Sequence, residues 1–160
     1  MDVRLVAAYE RQAEVSALFG EYTQMILKQG EEVRRCLEAQ HYQDETLDLE
    51  ARYGPPGGRL YLACLGETAV GCAALKQTDD RFCAMKRLYV RPGYRGSHIG
   101  GTLVERIIAD ARAAGYRHMR LDTFPFMDRA LTLYRRHGFY EIGRYNDNPA
   151  PSAIFMQLDL

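Results

Sequence analysis

The chain has 160 residues, 47% hydrophobic and 26% charged, the make-up of one globular domain over residues 1–160 rather than a disordered chain. Lys plus Arg and Asp plus Glu number 21 each, so the formal net charge is zero and nucleic acid is not an expected partner. No apolar run approaches the roughly 20 residues that span a bilayer, and Met1-Asp2-Val3-Arg4-Leu5 lacks the apolar stretch of an export signal, so no membrane partner is expected and the expected compartment is cytoplasmic.

Residues 3–6 read as a short first strand. Val15, Leu18, Phe19, Tyr22, Met25 and Ile26 then recur at helical spacing and predict an amphipathic helix over 10–28, stopped by Gly30. A second helical region, 31–53, breaks near His41, where the apolar spacing lapses, and Gly54-Pro55-Pro56-Gly57-Gly58 ends it as a loop. Residues 59–65 and 69–75 form a hairpin around Gly66-Glu67, and after a turn at Asp79-Asp80 residues 82–90 add a third strand, ended by Pro92 and Gly93. Ile99, Leu103, Val104, Ile107, Ile108 and Ala111 mark a strong helix closed by Gly115. A strand at 118–123 and a helix at 127–137 follow, the helix carrying Met127, Ala130, Leu131 and Tyr134 on one stripe before Gly138. Residues 139–145 and 153–158 are the last two strands. Hairpins combined with one or two crossovers predict an α/β (α+β) domain of three layers, with a mixed, mostly antiparallel sheet of about seven strands between helices.

The four cysteines, Cys36, Cys64, Cys72 and Cys83, form no C-x-x-C pair and read as buried thiols of a reducing compartment. His41, His98, His118 and His137 are too scattered to suggest a metal, and none is expected. Basic clusters such as Arg135-Arg136-His137 read as a solvated helix face.

The chemistry concentrates in Leu88-Tyr89-Val90-Arg91-Pro92-Gly93-Tyr94-Arg95-Gly96-Ser97-His98-Ile99-Gly100-Gly101, a strand running through a glycine-rich turn into an apolar helix. Such a turn leaves backbone N–H groups unpaired at a helix start, where the helix dipole also favours negative charge, and so suits a pyrophosphate. Charge-assisted hydrogen bonds of this kind contribute about 1.5–3 kcal/mol each. A Walker loop would need a lysine where Gly100-Gly101-Thr102 has none, and Gly96, Gly100 and Gly101 have the wrong spacing for a dinucleotide fingerprint.

The stretch resembles the pyrophosphate loop of the GNAT superfamily of acyl-CoA-dependent N-acetyltransferases. Arg95-Gly96-Ser97-His98-Ile99-Gly100 lies on the Arg/Gln-x-x-Gly-x-Gly/Ala signature, with Leu88-Tyr89-Val90-Arg91-Pro92 before it. Ala130-Leu131-Thr132-Leu133-Tyr134-Arg135-Arg136-His137-Gly138-Phe139 is similar to the family's A-x-x-L-Y-x-x-x-G-F segment. The resemblance is strongest over 85–139. It implies transfer of an acetyl group from acetyl-CoA to a primary amine of a small molecule or peptide, by direct attack in a ternary complex. It also implies binding in the cleft where the strand from Phe82 parts from the strand at His118. The resemblance assigns Leu88, Tyr89 and Val90 to the pantetheine arm through their backbones, and a backbone N–H near Leu88 to the thioester carbonyl. Residues Arg95, Gly96, Ser97, His98, Ile99, Gly100 and Gly101 take the pyrophosphate, and the Tyr134 hydroxyl protonates the leaving thiolate.

Two positions depart from the pattern. His98 stands where the signature has its first glycine. A positive φ there costs histidine roughly 1–2 kcal/mol, about five- to thirtyfold in affinity if only the bound state bears it; ordinary helical geometry is the alternative. Cys83-Ala84-Met85 stands where relatives often carry a carboxylate base, and no choice among Asp80, Asp122 and Glu141 follows from sequence. These departures leave a rival reading, a non-catalytic acyl-CoA-binding sensor or interaction domain. Cys83 has no histidine placed to make it a nucleophile. The polar, stiff loop at 146–151 either borders the acceptor site or is a surface turn. For assembly, a homodimer is simply the commonest form among soluble oligomers.

Overall fold

The computed structural model describes residues 2–42 and 45–160, so the expected second helical region lies partly, at Gln43 and Asp44, outside the described residues. In chain order the elements are β1 (Val3–Ala7), α1 (Gln12–Leu27), α2 (Glu31–Ala39), α3 (Leu49–Tyr53), β2 (Arg59–Leu65), β3 (Thr68–Gln77), β4 (Phe82–Val90), α4 (Ile99–Ala113), β5 (His118–Thr123), α5 (Asp128–Arg136), β6 (Tyr140–Ile142) and β7 (Ile154–Asp159). The seven strands form one sheet in the order β1-β2-β3-β4-β5-β7-β6. Among the described residues the β4–β5 pair alone is parallel; the other pairs are antiparallel.

Helices cover both faces, as the sequence order predicts. Leu103, Val104, Ile107 and Ala111 recur at three- and four-residue spacing on α4 and are wholly buried against Val70, Leu75, Met85 and Met119 of the sheet. On the other face, Val15, Leu18 and Phe19 of α1 pack on Leu60, Leu62, Cys72 and Ala74. Four buried thiols contribute apolar volume to these layers, and burial pushes Cys72 and Cys83 up to about 12.

One strand is shorter than expected. Residues 139–145 read as a strand, yet β6 ends at Ile142. Beyond it, Arg144 turns to donate to the carbonyls of Asn148 and Ala150 (the latter at 3.0 Å), and Asn148 and Asn146 close side-chain bonds to the backbone of Ala150 and Asn148. These local bonds compete with the strand ladder and win. Near His41 the second helical region breaks as expected, with His41 at φ 54.

Candidate active site

Two irregularities in β4 build the site. First, β4 and β5 pair only where Phe82, Cys83 and Ala84 meet His118, Met119 and Arg120. Beyond that point the strands part, so the β5-facing edge of β4 over residues 85–90 has no strand partner. Second, the register between β3 and β4 slips, with Ala74 opposite Lys86 and Cys72 opposite Tyr89. Arg87 and Leu88 therefore oppose Ala73 alone, which is a β-bulge. Arg87 sits at φ 58, a left-handed conformation that side chains rarely adopt.

A buried ion pair holds that bulge. Arg87 Nε donates to Glu45 at 2.8 Å, a second guanidinium nitrogen pairs with the other carboxylate oxygen, and a third reaches Thr23 Oγ1 at 3.3 Å. The guanidinium carbon lies 5.1 Å from the centres of both the Phe19 and Tyr22 rings. Tyr53 donates to the same carboxylate. The side chains of Arg87 and Glu45 are 7% and 4% exposed, so neither charge has water to fall back on.

The parting of the strands opens a cavity of about 260 Å³, walled by α1, α2 and α3 and by residues of β3, β4, β5 and α5. Leu88 and Tyr134 both line it. Tyr134 is buried, packs its ring 5.6 Å from that of Phe139, and has no hydrogen-bond partner for its hydroxyl among the described residues. Burial holds its pKa above the ordinary 10.0, with Tyr22 and Asp122 adding to the shift, so the hydroxyl keeps its proton. In the same cavity burial pushes the Cys36 thiol up to about 11.

Asp122 separates itself from the other two carboxylates. It lines the cavity, accepts from Asn148 Nδ2 at 2.7 Å and lies 3.5 Å from Lys86 Nζ, whereas Asp80 and Glu141 are exposed on the surface. Through Asn148 the loop at 146–151 supports the cavity, so its polar character is not that of a plain surface turn. Lys76, Lys86, Arg87, Arg52 and Glu45 were missed in the sequence. The adjacent charges Lys86-Arg87 inside an otherwise apolar strand were the one available signal.

At the end of β4 the glycine-rich turn takes the form the sequence predicts. No backbone N–H over residues 96–101 finds a backbone or side-chain acceptor among the described residues. His98 caps α4 at φ 62, and its carbonyl accepts from Thr102 N (3.0 Å) and Oγ1 (2.9 Å). The alternative of ordinary helical geometry at His98 does not hold. Gly100 lets α5 approach, since a Cβ would stand 3.2 Å from a Leu133 methyl; at Gly101 a Cβ would come within 2.5 Å of the His98 ring. Ile99 is buried and anchors the helix start, while Ser97 is exposed. Arg95 folds back, its Nε donating to the Val90 carbonyl at 2.9 Å. Leu88 and Val90 pack toward α4, while Tyr89 faces α1 and donates to Glu21 at 3.2 Å.

The left-handed strain at His98 belongs to the α4 cap and is carried by the fold rather than by a bound state. His98→Gly should therefore leave any ligand affinity of this turn within about threefold. Stability should change by less than about 1 kcal/mol, because relief of strain is offset by the entropy of a glycine in the unfolded chain. A melting curve and a CoA titration check this; a tenfold loss of affinity would show that the imidazole itself holds the ligand.

Comparison with known proteins places these features in a family. Residues 26–139 match the model of the acetyltransferase (GNAT) family. An uncharacterised N-acetyltransferase of Schizosaccharomyces pombe is 38% identical over 123 residues, 76% of each chain. The IAA acetyltransferase of Azospirillum brasilense is 36% identical over 119 residues, 73% of this chain and 77% of its own. Among solved structures, the PaiA N-acetyltransferase of Thermoplasma acidophilum in complex with coenzyme A superposes with a TM-score of 0.76 over 100% of both chains, at 18% identity. That likeness extends the shared fold to the whole chain.

Proposed function

The chain belongs to the GNAT acetyltransferase family, and on that premise we propose that it transfers an acetyl group from acetyl-CoA to a primary amine by direct attack in a ternary complex. The observation that carries this reading is the parting of β4 from β5: the freed edge of β4 runs from Leu88, which with Tyr134 lines the cavity, to the N–H-rich turn that follows Val90.

The residues divide the work as follows. The N–H groups over 96–101 and the positive end of α4 hold the pyrophosphate. The unpartnered edge of β4 over 85–90 pairs with the amide groups of the pantetheine arm as an added strand would. The bulge at Arg87 and Leu88 aims a backbone N–H at the thioester carbonyl, where charge develops during attack. A new C–N bond forms and the C–S bond breaks; one proton leaves nitrogen and one ends on sulfur. Tyr134 donates the latter and is reprotonated from solvent. Burial keeps the Tyr134 hydroxyl protonated, so it holds the proton to be given. Catalysis is mainly positioning and oxyanion stabilisation.

Thermal melting tests the cofactor. At about 100 times its dissociation constant a ligand stabilises the native state by about 2.7 kcal/mol, which raises the melting point by roughly 5–10 °C at this chain length. CoA and acetyl-CoA should both do this. Equal shifts with ATP would count against the reading.

A further inference from the structure

Among the described residues the cavity is lined by the lysines and arginines Arg52, Lys76, Lys86 and Arg87 and by the His41 imidazole, against two carboxylates, Glu45 and Asp122. Both carboxylates are engaged. Glu45 is taken up by Arg87, and Asp122 by Lys86 and Asn148. Arg52 donates to the backbone carbonyls of Gln40 (2.6 Å) and His41 (3.5 Å), acceptors that carry no net charge. Lys76, half-buried on β3, has no hydrogen-bond or ion-pair partner among the described residues. Burial, and then the like charges of Arg52 and Lys86, depress its pKa. Among the described residues these two neighbouring cations have no ion-pair partner of their own, and Glu45, whose charge is felt at Lys76, is already paired with Arg87; the arrangement costs stability until an anion arrives.

The anion is not the cofactor's pyrophosphate on the reading above, because that group belongs to the turn at 96–101. The cavity, at about 260 Å³, also falls below the ~300–1,000 Å³ typical of sites for drug-sized ligands. Ile26, Leu37 and Phe124 give it an apolar part beside the polar Gln40, His41 and Thr123. Resting on the acetyl-transfer reading, we infer that the acceptor is a small amine that also carries a carboxylate, as an amino acid does, with the carboxylate held by Lys76 and Arg52 and the amine turned toward Leu88 and Tyr134.

The test compares glycine, leucine and phenylalanine as acceptors, each as the α-carboxylate, its α-carboxamide and the corresponding amine lacking that group. CoA release and N-acetyl product are followed at saturating acetyl-CoA. In at least one series the carboxylate form should be favoured by tenfold or more in kcat/KM. Lys76→Met should raise the KM of that form about tenfold or more, a loss expected when one partner of a charge-assisted contact is removed. The neutral forms should be unaffected, and the CoA-induced rise in melting point should persist. Lys76→Arg should retain the preference. Neutral amines used as well as the acids, or an unchanged KM for the acid in Lys76→Met, would overturn this inference while leaving acetyl transfer intact. Binding of CoA with acetylation of no amine in the panel would overturn both.

Discussion

Tyr134→Phe should keep its fold and lose turnover, kcat falling by roughly 10–10³ with little change in the KM for acetyl-CoA. The substitution removes a hydroxyl that has no hydrogen-bond partner among the described residues and leaves the ring packed against Phe139. Stability should therefore change by no more than about 1 kcal/mol. The expected loss lies at the lower end of general-acid effects because a thiolate is a good leaving group and water can substitute. Burial keeps the Tyr134 pKa above 10.0, so its ionisation should contribute no fall in kcat up to that pH. Steady-state kinetics with an accepted amine and a melting curve for each variant decide the matter. An unchanged kcat with a large drop in melting point would make Tyr134 a core residue and nothing more. An unchanged kcat with unchanged stability would move the acid role to solvent.

The second large effect is on stability. Arg87→Met should destabilise the protein by about 3–5 kcal/mol, because it strands the Glu45 carboxylate in a site that is 4% exposed. At this length that lowers the melting point by roughly 6–20 °C. Glu45→Leu should cost a similar amount by stranding the guanidinium. The double variant should be more stable than either single one, since replacing both charges removes the desolvation cost together with the attraction. Denaturant melts of the three variants measure this. Single substitutions costing less than about 1 kcal/mol would show that the pair is not what pins the bulge.

These two tests fall on opposite sides of what could be read from the sequence. Tyr134 sits in a contiguous motif on a helix whose apolar stripe is visible by spacing alone, and the strand at 82–90 and the turn after it are bounded by Pro92 and Gly93. Local rules of periodicity and turn chemistry suffice there. Arg87 and Glu45 lie 42 residues apart, and their pairing depends on α3, with Glu45 just before it, packing on the sheet face that α1 also covers. No spacing rule brings them together. Lys86-Arg87 within β4 did break the apolar alternation, which is where a local rule fails because a site needs it to. The strand expected over 139–145 stops short for a related reason: Arg144 and the two asparagines draw the chain into side-chain bonds that strand propensity does not register.

The positive φ at His98 shows the same limit at one residue. The signature position and the possible strain were legible, but the conformation itself depends on how the α4 cap closes on Thr102. Likewise, that Lys76 has no ion-pair partner among the described residues is a property of the cavity wall and not of its place in β3, where it reads as an ordinary strand-end lysine.

On the proposed reading acetyl-CoA lies along the free edge of β4 with its thioester in the cavity between β4 and β5. A crystal structure of the acetyl-CoA complex tests this most directly. The pyrophosphate should lie on the N–H groups over residues 96–101, the pantetheine arm beside residues 85–90, and the thioester sulfur within hydrogen-bond reach of the Tyr134 hydroxyl. A pyrophosphate bound elsewhere, or a thioester outside the cavity that Leu88 and Tyr134 line, would contradict it.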